Sequence, residues 1–392
     1  MKDRKPKGRS LRRWVPVLAV TALATACGGG DGTQPGSLLS LEQGGRGKPL
    51  PDAGQNYFVT YASRSASGKL VPVVGQIAIP NTPPPPGGYP VLSWAPGTTG
   101  MGPQCAPSNF AGHAASLNEW VKRGYAVLRT DYEGWGDAGP RPLLNQRSNA
   151  EAVVNLVKAA HAVTDKLSKD WVVAGHSEGG GAALWTAALG EGAAGPYRLR
   201  AAIALAPVGP GVLDMVNTLQ QGVPISQNFP LLADGLAASL TASTVLGARV
   251  ADPAIRFDEL VAPSFQPWVD AAAKACVSDA INLPVPQPGQ YLKPGASFDR
   301  VVAFLRNQDA SSQTMRVPVW IAQAQDDNLT PTPPTTARMV KDLCTRGGYI
   351  GLQAYAGQNH GQVVAASLGD ALAFADTVLA GKPLPAGACA GR

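Results

Sequence analysis

The sequence predicts an α/β fold: a doubly wound, mostly parallel sheet with a helical cap inserted into its second half. Three observations carry this. Short apolar, β-branched runs alternate with helix-length segments through the first half of the chain and again at its end. Between Pro207 and Arg316 that rhythm stops, and short apolar helical stretches replace it. At Gly175-His176-Ser177-Glu178-Gly179 an apolar run passes through a glycine-flanked turn straight into a small-residue helix. Length agrees, because 392 residues exceed one average domain and α/β cores of this size often carry an insertion. A hydrophobic content of 45%, with 35 prolines and 45 glycines, describes a loop-rich globular protein and excludes a membrane bundle or coiled coil.

Residues 1–26 read as an export signal: seven basic residues against Asp3, then an apolar run from Trp14 to Ala26. These account for the whole formal charge of +6, so the remainder is neutral and offers no basic surface for nucleic acid. Leu23-Ala24-Thr25-Ala26-Cys27 ends the leader. It leaves two outcomes open: lipidation at Cys27, which would be the sole link to a membrane, or cleavage after an A-x-A triplet to give a freely secreted protein. Residues 27–50, rich in Gly, Ser and Pro, are then expected as a flexible tether. Cys105, Cys276, Cys344 and Cys389 remain. In an exported chain this even number predicts two disulfides, with three connectivities open, and no cysteine spacing suggests zinc.

Within 51–206, the first part of the core, alternation predicts strands at Tyr57–Ser63 and Val71–Ile79, then a proline-rich loop and a strand at Val91–Trp94. A helix at Ser116–Arg123, a buried strand at Tyr125–Thr130 and a long helix at Asn149–Leu167 follow, the last with Ser148 and Glu151 as a capping box. The strand Trp171–Ala174, the helix Gly180–Ala188 and the strand Ala201–Leu205 complete this half. The cap, 207–316, holds helical stretches at Val212–Leu219, Leu231–Leu246, Trp268–Cys276 and Phe298–Leu305. The core resumes over 317–392 with strand Val317–Ala322, helix Thr335–Thr345, strand Tyr349–Ala354 and helix Gln362–Leu379.

The glycine-flanked turn reads as a nucleophile elbow, in which a strained serine backbone lifts its hydroxyl clear of the chain. A serine hydroxyl needs a base, and the base needs an acid to fix its tautomer. On this architecture the chain order is serine, acid, histidine. Of four histidines only His360, in Gly357-Gln358-Asn359-His360-Gly361, lies downstream of Ser177, and it is the predicted base. His176 points away from the hydroxyl, His161 reads as a hydrogen-bonded core histidine and His113 as structural. Asp327, in the loop after Val319–Gln323, is the predicted acid in preference to Asp326, while Asp131 reads as fixing its own loop. Two preset donors are needed for the developing oxyanion. The backbone N–H groups of Glu178 and Thr98 are the candidates, since Pro96 has no N–H.

Trp94-Ala95-Pro96-Gly97-Thr98-Thr99-Gly100, Cys105-Ala106-Pro107-Ser108, Asp131-Tyr132-Glu133-Gly134 and Gly175-His176-Ser177-Glu178-Gly179-Gly180 together resemble the secretory lipase family of α/β-hydrolases, over roughly Tyr57 to Gly381. Asp327 follows Ser177 by 150 residues and His360 follows Asp327 by 33, close to the spacing in fungal secretory lipases. The chain departs from the pattern at Pro96, where many hydrolases carry histidine, and at Ala324 and Thr330, where glycine and valine are usual. The resemblance implies the α/β-hydrolase fold and hydrolysis of carboxylic esters, often acylglycerols, beneath a helical lid. It also implies disulfides pairing Cys105 with Cys276 and Cys344 with Cys389. The expected function is therefore a serine carboxylic ester hydrolase needing no metal or cofactor, exported and acting on a small-molecule or lipid ester. A peptidase or polyesterase on the same scaffold, or a silent lipoprotein binding apolar ligands, are the alternatives. In the cap, Met215, Leu219, Leu231, Leu232, Leu236 and Leu240 supply apolar surface suited to an acyl chain. Oligomeric state is not encoded in any recognisable pattern.

Overall fold

The computed structural model of the protein describes residues 32–44, 47–135, 140–277, 279 and 283–389. The expected export signal and Cys27 lie outside these residues. The strands are β1 (Leu38–Gln43), β2 (Ala53–Arg64), β3 (Leu70–Pro80), β4 (Tyr89–Ala95), β5 (Ala126–Thr130), β6 (Leu167–His176), β7 (Arg198–Leu205), β8 (Val319–Ala324) and β9 (Ile350–Tyr355). They form one sheet in the order β1-β2-β3-β5-β4-β6-β7-β8-β9. β1, β2, β3 and β5 pair antiparallel, whereas β5, β4 and β6 to β9 pair parallel.

The helices of the core's first half are α1 (Ala114–Lys122), α2 (Gln146–Val163) and α3 (Glu178–Leu189). The insertion contributes α4 (Pro210–Gln220), α5 (Ile225–Asn228), α6 (Asp234–Ala251), α7 (Phe257–Leu260), α8 (Gln266–Ala272) and α9 (Ala296–Gln308). The core closes with α10 (Pro333–Thr345), α11 (Val363–Ala366) and α12 (Leu368–Leu379). Parallel strands covered on both faces read as unbroken apolar runs. In β6, Trp171 and Val173 pack into the layer of α2, α3 and α10, and Val172 and Ala174 into that of α1, α11 and α12. The insertion builds its own apolar core around Phe265, Trp268 and Val301.

Several expectations shift. Residues 38–43, within the expected tether, form β1 and hydrogen-bond along β2, satisfying the edge of that strand while Leu38 packs against the core. The long helix starts earlier, at Gln146, and ends at Val163. Asn145, not Ser148 with Glu151, caps it: the Asn145 side chain accepts the Ser148 N–H at 3.0 Å, while Glu151 accepts from Asn155. The cap helices begin at Asp234 rather than Leu231 and end at Ala272 rather than Cys276, where the disulfide to Cys105 and bridge pairing with Gly100 hold the chain extended. The final helix divides at buried Ser367 into α11 and α12.

Candidate active site

Ser177 sits between β6 and α3 with φ +59° and ψ −118°, a region that non-glycine residues rarely occupy. The turn is locked from both sides. The Ser177 N–H donates to the Leu205 carbonyl at 2.9 Å, and the Ser177 carbonyl accepts from Val208 at 3.0 Å and Gly181 at 3.2 Å. The two glycines are steric necessities: a Cβ on Gly175 would lie 2.1 Å from the Gly179 carbonyl oxygen, and one on Gly179 would lie 1.9 Å from that of Ala95. The hairpin-tight passage of strand into helix therefore leaves no room for any side chain at either position.

His360, on the loop after β9, and Asp327, on the loop after β8, meet beside this turn. His360 Nδ1 lies 2.9 and 3.1 Å from the two Asp327 carboxylate oxygens, and the Leu329 N–H also donates to Asp327 at 2.9 Å. Asp327 is 2% exposed, whereas neighbouring Asp326 faces solvent. Because a carboxylate can only accept, Nδ1 carries the proton and Nε2 keeps its lone pair. Nε2 is buried without a hydrogen-bond partner, and His360 and Ser177 line one cavity without being hydrogen-bonded to each other.

His176 turns away from Ser177 and holds the His360 loop instead. Its Nε2 donates to the His360 carbonyl at 2.8 Å, which leaves Nδ1 to accept from His113 Nε2 at 3.1 Å. Burial, reinforced by the neighbouring histidines, pushes His176 well below the ordinary imidazole range, and burial lowers His113 to about 4. Both rings are thus neutral at neutral pH, as the hydrogen-bond directions require. His161 is half-buried rather than in the core; it bonds the Val157 and Ser168 carbonyls and stacks on Tyr197, outside the cavity lining.

Thr98 and Glu178 flank Ser177. Glu178 occupies the first position of α3, where an amide has no intrahelical acceptor. The Thr98 hydroxyl donates to the Glu178 carboxylate at 2.8 Å, fastening the loop after β4 to the helix start. That carboxylate, fully buried, also accepts from Arg141 at 2.5 Å and from the Leu144 amide and Asn149 side chain at 3.0 Å each. The Arg141 guanidinium stacks 4.2 Å from the Trp135 ring centre. Tyr132, at φ +65°, donates its hydroxyl to the Pro96 carbonyl at 2.8 Å and fixes the same loop. Sequence reasoning missed this scaffold. The available signal was an acid at position 178 opening a helix whose next six residues are glycine, alanine and leucine.

The cavity measures about 260 Å³. Part of its lining is apolar, with Val212, Met215, Leu236 and Leu240 of the cap. Of the other cap residues expected there, Leu219 and Leu232 are buried in the cap's own core and Leu231 is 55% exposed. The sheet and the loop after β5 contribute Gln76, Arg129 and Asp131 to the same lining. Asp131 fixes its loop as expected: its oxygens accept the Ser108 amide at 2.8 Å and the Ser108 hydroxyl at 2.5 Å, yet burial outweighs these bonds and raises the carboxyl to about 6. Cys105 is bonded to Cys276, tying the loop after β4 to the cap, and Cys344 to Cys389, tying α10 to the C-terminal segment. Among the described residues no helix is long and apolar enough to cross a membrane.

No protein-family model and no curated protein matches the sequence. Solved structures do match in shape. The rice cell wall degrading esterase LipA from Xanthomonas oryzae superposes with a TM-score of 0.71 at 17% identity, covering 89% of this chain and 100% of that one. Candida antarctica lipase A in its closed state gives 0.73 at 17%, covering 92% and 87% respectively. A putative hydrolase from Legionella pneumophila gives 0.71 at 15%, covering 89% and 100%. Sheet order, strained serine turn and these superpositions agree on one conclusion: the chain has the α/β-hydrolase fold.

Proposed function

We propose that the protein is a serine carboxylic ester hydrolase of the lipase or esterase type, acting through a covalent acyl-enzyme. The observation that carries this reading is the strained Ser177 sharing a cavity with the unpartnered Nε2 of an Asp327-anchored imidazole. In this scheme Nε2 of His360 takes the Ser177 proton as Oγ attacks the ester carbonyl. The Thr98 and Glu178 amides hold the oxyanion of the tetrahedral intermediate. Imidazolium then protonates the leaving alkoxide as the C–O bond breaks, and water repeats the cycle on the acyl-enzyme. Hydrogen bonds of such relays are often long in the resting protein and tighten around substrate.

The apolar cap residues in the cavity lining support a substrate with a hydrocarbon portion. The two disulfides fit an oxidising compartment, and we propose that the chain is exported. Mass spectrometry of the mature N-terminus distinguishes acylated Cys27 from free release.

Rates on p-nitrophenyl esters of graded chain length, set against matched amide substrates, test the activity. Ser177→Ala is expected to cut kcat by on the order of 10⁴-fold or more, with an unchanged circular dichroism spectrum. A fluorophosphonate should label the wild type once, at Ser177. A folded protein that resists labelling and turns over no ester would instead favour the ligand-binding alternative.

A further inference from the structure

The part of the cavity lining that the sheet supplies contains a charged group that the scheme above does not use. Arg129 on β5 stands in register with Gln76 on β3 and Trp94 on β4, so the three side chains leave the sheet on one face. All three line the cavity. Arg129 is 9% exposed and Gln76 7%. The guanidinium spends one hydrogen bond, from Nη2, on the Lys48 carbonyl. Its Nε is buried without a partner, and among the described residues no carboxylate lies within ion-pair distance of it. Asp131 is the opposite charge that acts on it, but both Asp131 oxygens are engaged by Ser108. The Gln76 amide likewise makes no hydrogen bond among the described residues, and Gly47 leaves it space, since a Cβ there would fall 2.3 Å from the Gln76 nitrogen.

A buried cation without a partner is costly to keep, more so when apolar residues could fill the same volume. Burial lowers Arg129 to about 10, which still leaves it charged at neutral pH. Nη1 makes no hydrogen bond among the described residues and Nη2 carries a second N–H beyond the one given to Lys48, so the guanidinium keeps donors for a carboxylate, and an adjacent amide can add a further one.

Resting on the ester hydrolase reading, we propose that Arg129 and Gln76 form a subsite for a carboxylate carried by the ester itself. The substrate class is then an acidic ester, in which a carboxylate several bonds from the scissile carbonyl docks at the sheet while an apolar portion lies against the cap. This separates the protein from a hydrolase of plain acylglycerols, whose branches present only hydrocarbon to sheet and cap alike.

The test compares kcat/KM for acidic esters with that for methyl-terminated isosteres. On the acyl branch p-nitrophenyl hydrogen glutarate is set against p-nitrophenyl valerate; on the alcohol branch, butyryl esters of short hydroxy acids against butyl butyrate. At least tenfold preference for the acidic ester is expected on one branch. Arg129→Met should reduce that preference ratio at least tenfold, and Arg129→Lys should retain part of it. Ratios near one on both branches, or a ratio that survives Arg129→Met, overturn the proposal. Should Arg129→Met not fold, competition in the wild type decides: glutarate is expected to inhibit valerate hydrolysis competitively and 1,5-pentanediol not, and equal behaviour of the two overturns the subsite. Rapid turnover of neutral esters without acidic preference removes the subsite and leaves the hydrolase. Glutarate binding to Ser177→Ala by calorimetry, in a chain whose wild type hydrolyses no ester, does the reverse.

Discussion

Glu178 serves the candidate site twice. In the proposed mechanism its amide holds the oxyanion, and its carboxylate gathers Thr98, Arg141, Leu144 and Asn149 around the start of α3. Removing a partner from a fully buried ion pair leaves the other charge uncompensated. Glu178→Ala is therefore expected to lower the unfolding free energy by about 3–5 kcal/mol, read by urea denaturation, with Glu178→Gln losing less because its one remaining oxygen still accepts from the Leu144 amide and the Asn149 side chain. His176 acts through the backbone of its neighbour in space. His176→Phe removes the 2.8 Å bond to the His360 carbonyl and should lower kcat by roughly ten- to a hundredfold, with KM less affected, because small displacements of a proton carrier are expensive in rate. Rescue by His176→Gln would identify the hydrogen bond, not ring volume, as the cause.

Titration belongs to this scale too. Between its ordinary 6.5 and the value of about 4 it takes in the fold, His113 binds a proton in the unfolded chain but not in the native one. Native stability from this group consequently rises with pH across that window and is lost as pH falls through it. Asp131 works in the opposite sense, holding a proton in the native state from about pH 3.8 to 6 where the unfolded chain has released it. His113→Gln should thus lose less stability than the wild type between pH 6.5 and 4, by about 3 kcal/mol at the acid end, as measured by urea titrations at both pH values.

At the scale of elements, the β6 turn and α3 stand or fall together. A Cβ at position 179 would overlap the Ala95 carbonyl at 1.9 Å, and backbone on the neighbouring strand cannot yield as a flexible side chain does. Gly179→Ala should give little soluble protein, or a folded fraction that no longer reacts with a fluorophosphonate. The start of α2 is a milder case. Its cap is a single side-chain acceptor, so Asn145→Ala should cost about 1 kcal/mol while leaving the helix in place, since its buried face spans the interior from Ala150 to Ala160. Sequence reasoning located α2 but chose the wrong cap. The Ser148 and Glu151 pattern fits a capping box locally, yet the preceding loop, held by Glu178 through the Leu144 amide, presents Asn145 first.

For the molecule as a whole, the cap and the core are joined by more than apolar contact. The Cys105–Cys276 disulfide closes 171 residues of sequence, and Met101 and Val277 add backbone bonds across the same junction. In the chain-entropy description a closure of this length is worth about 5 kcal/mol. Cys276→Ser is expected to lower Tm by a corresponding margin and to reduce ester turnover further, because Thr98 and Thr99 lie on the loop that the bond restrains. Cys344→Ser, distant from the cavity, should lower Tm without that loss of turnover.

The sequence by itself determined the order of the core strands from β2 onward, the inserted cap, the elbow serine and its base, though not the edge strand β1. Each is written in local currency: apolar runs, small residues at fixed offsets, or a lone downstream histidine. Tertiary structure decided how residues far apart in the chain were used. That Glu178, Arg141 and Asn149 form one buried cluster, that His176, backed by His113, holds a loop 184 residues away, and that Arg129 beside Gln76 has no ion pair among the described residues follow from strand register and helix packing. Burial removes water as the alternative partner, and only the assembled sheet fixes which polar groups are left to one another.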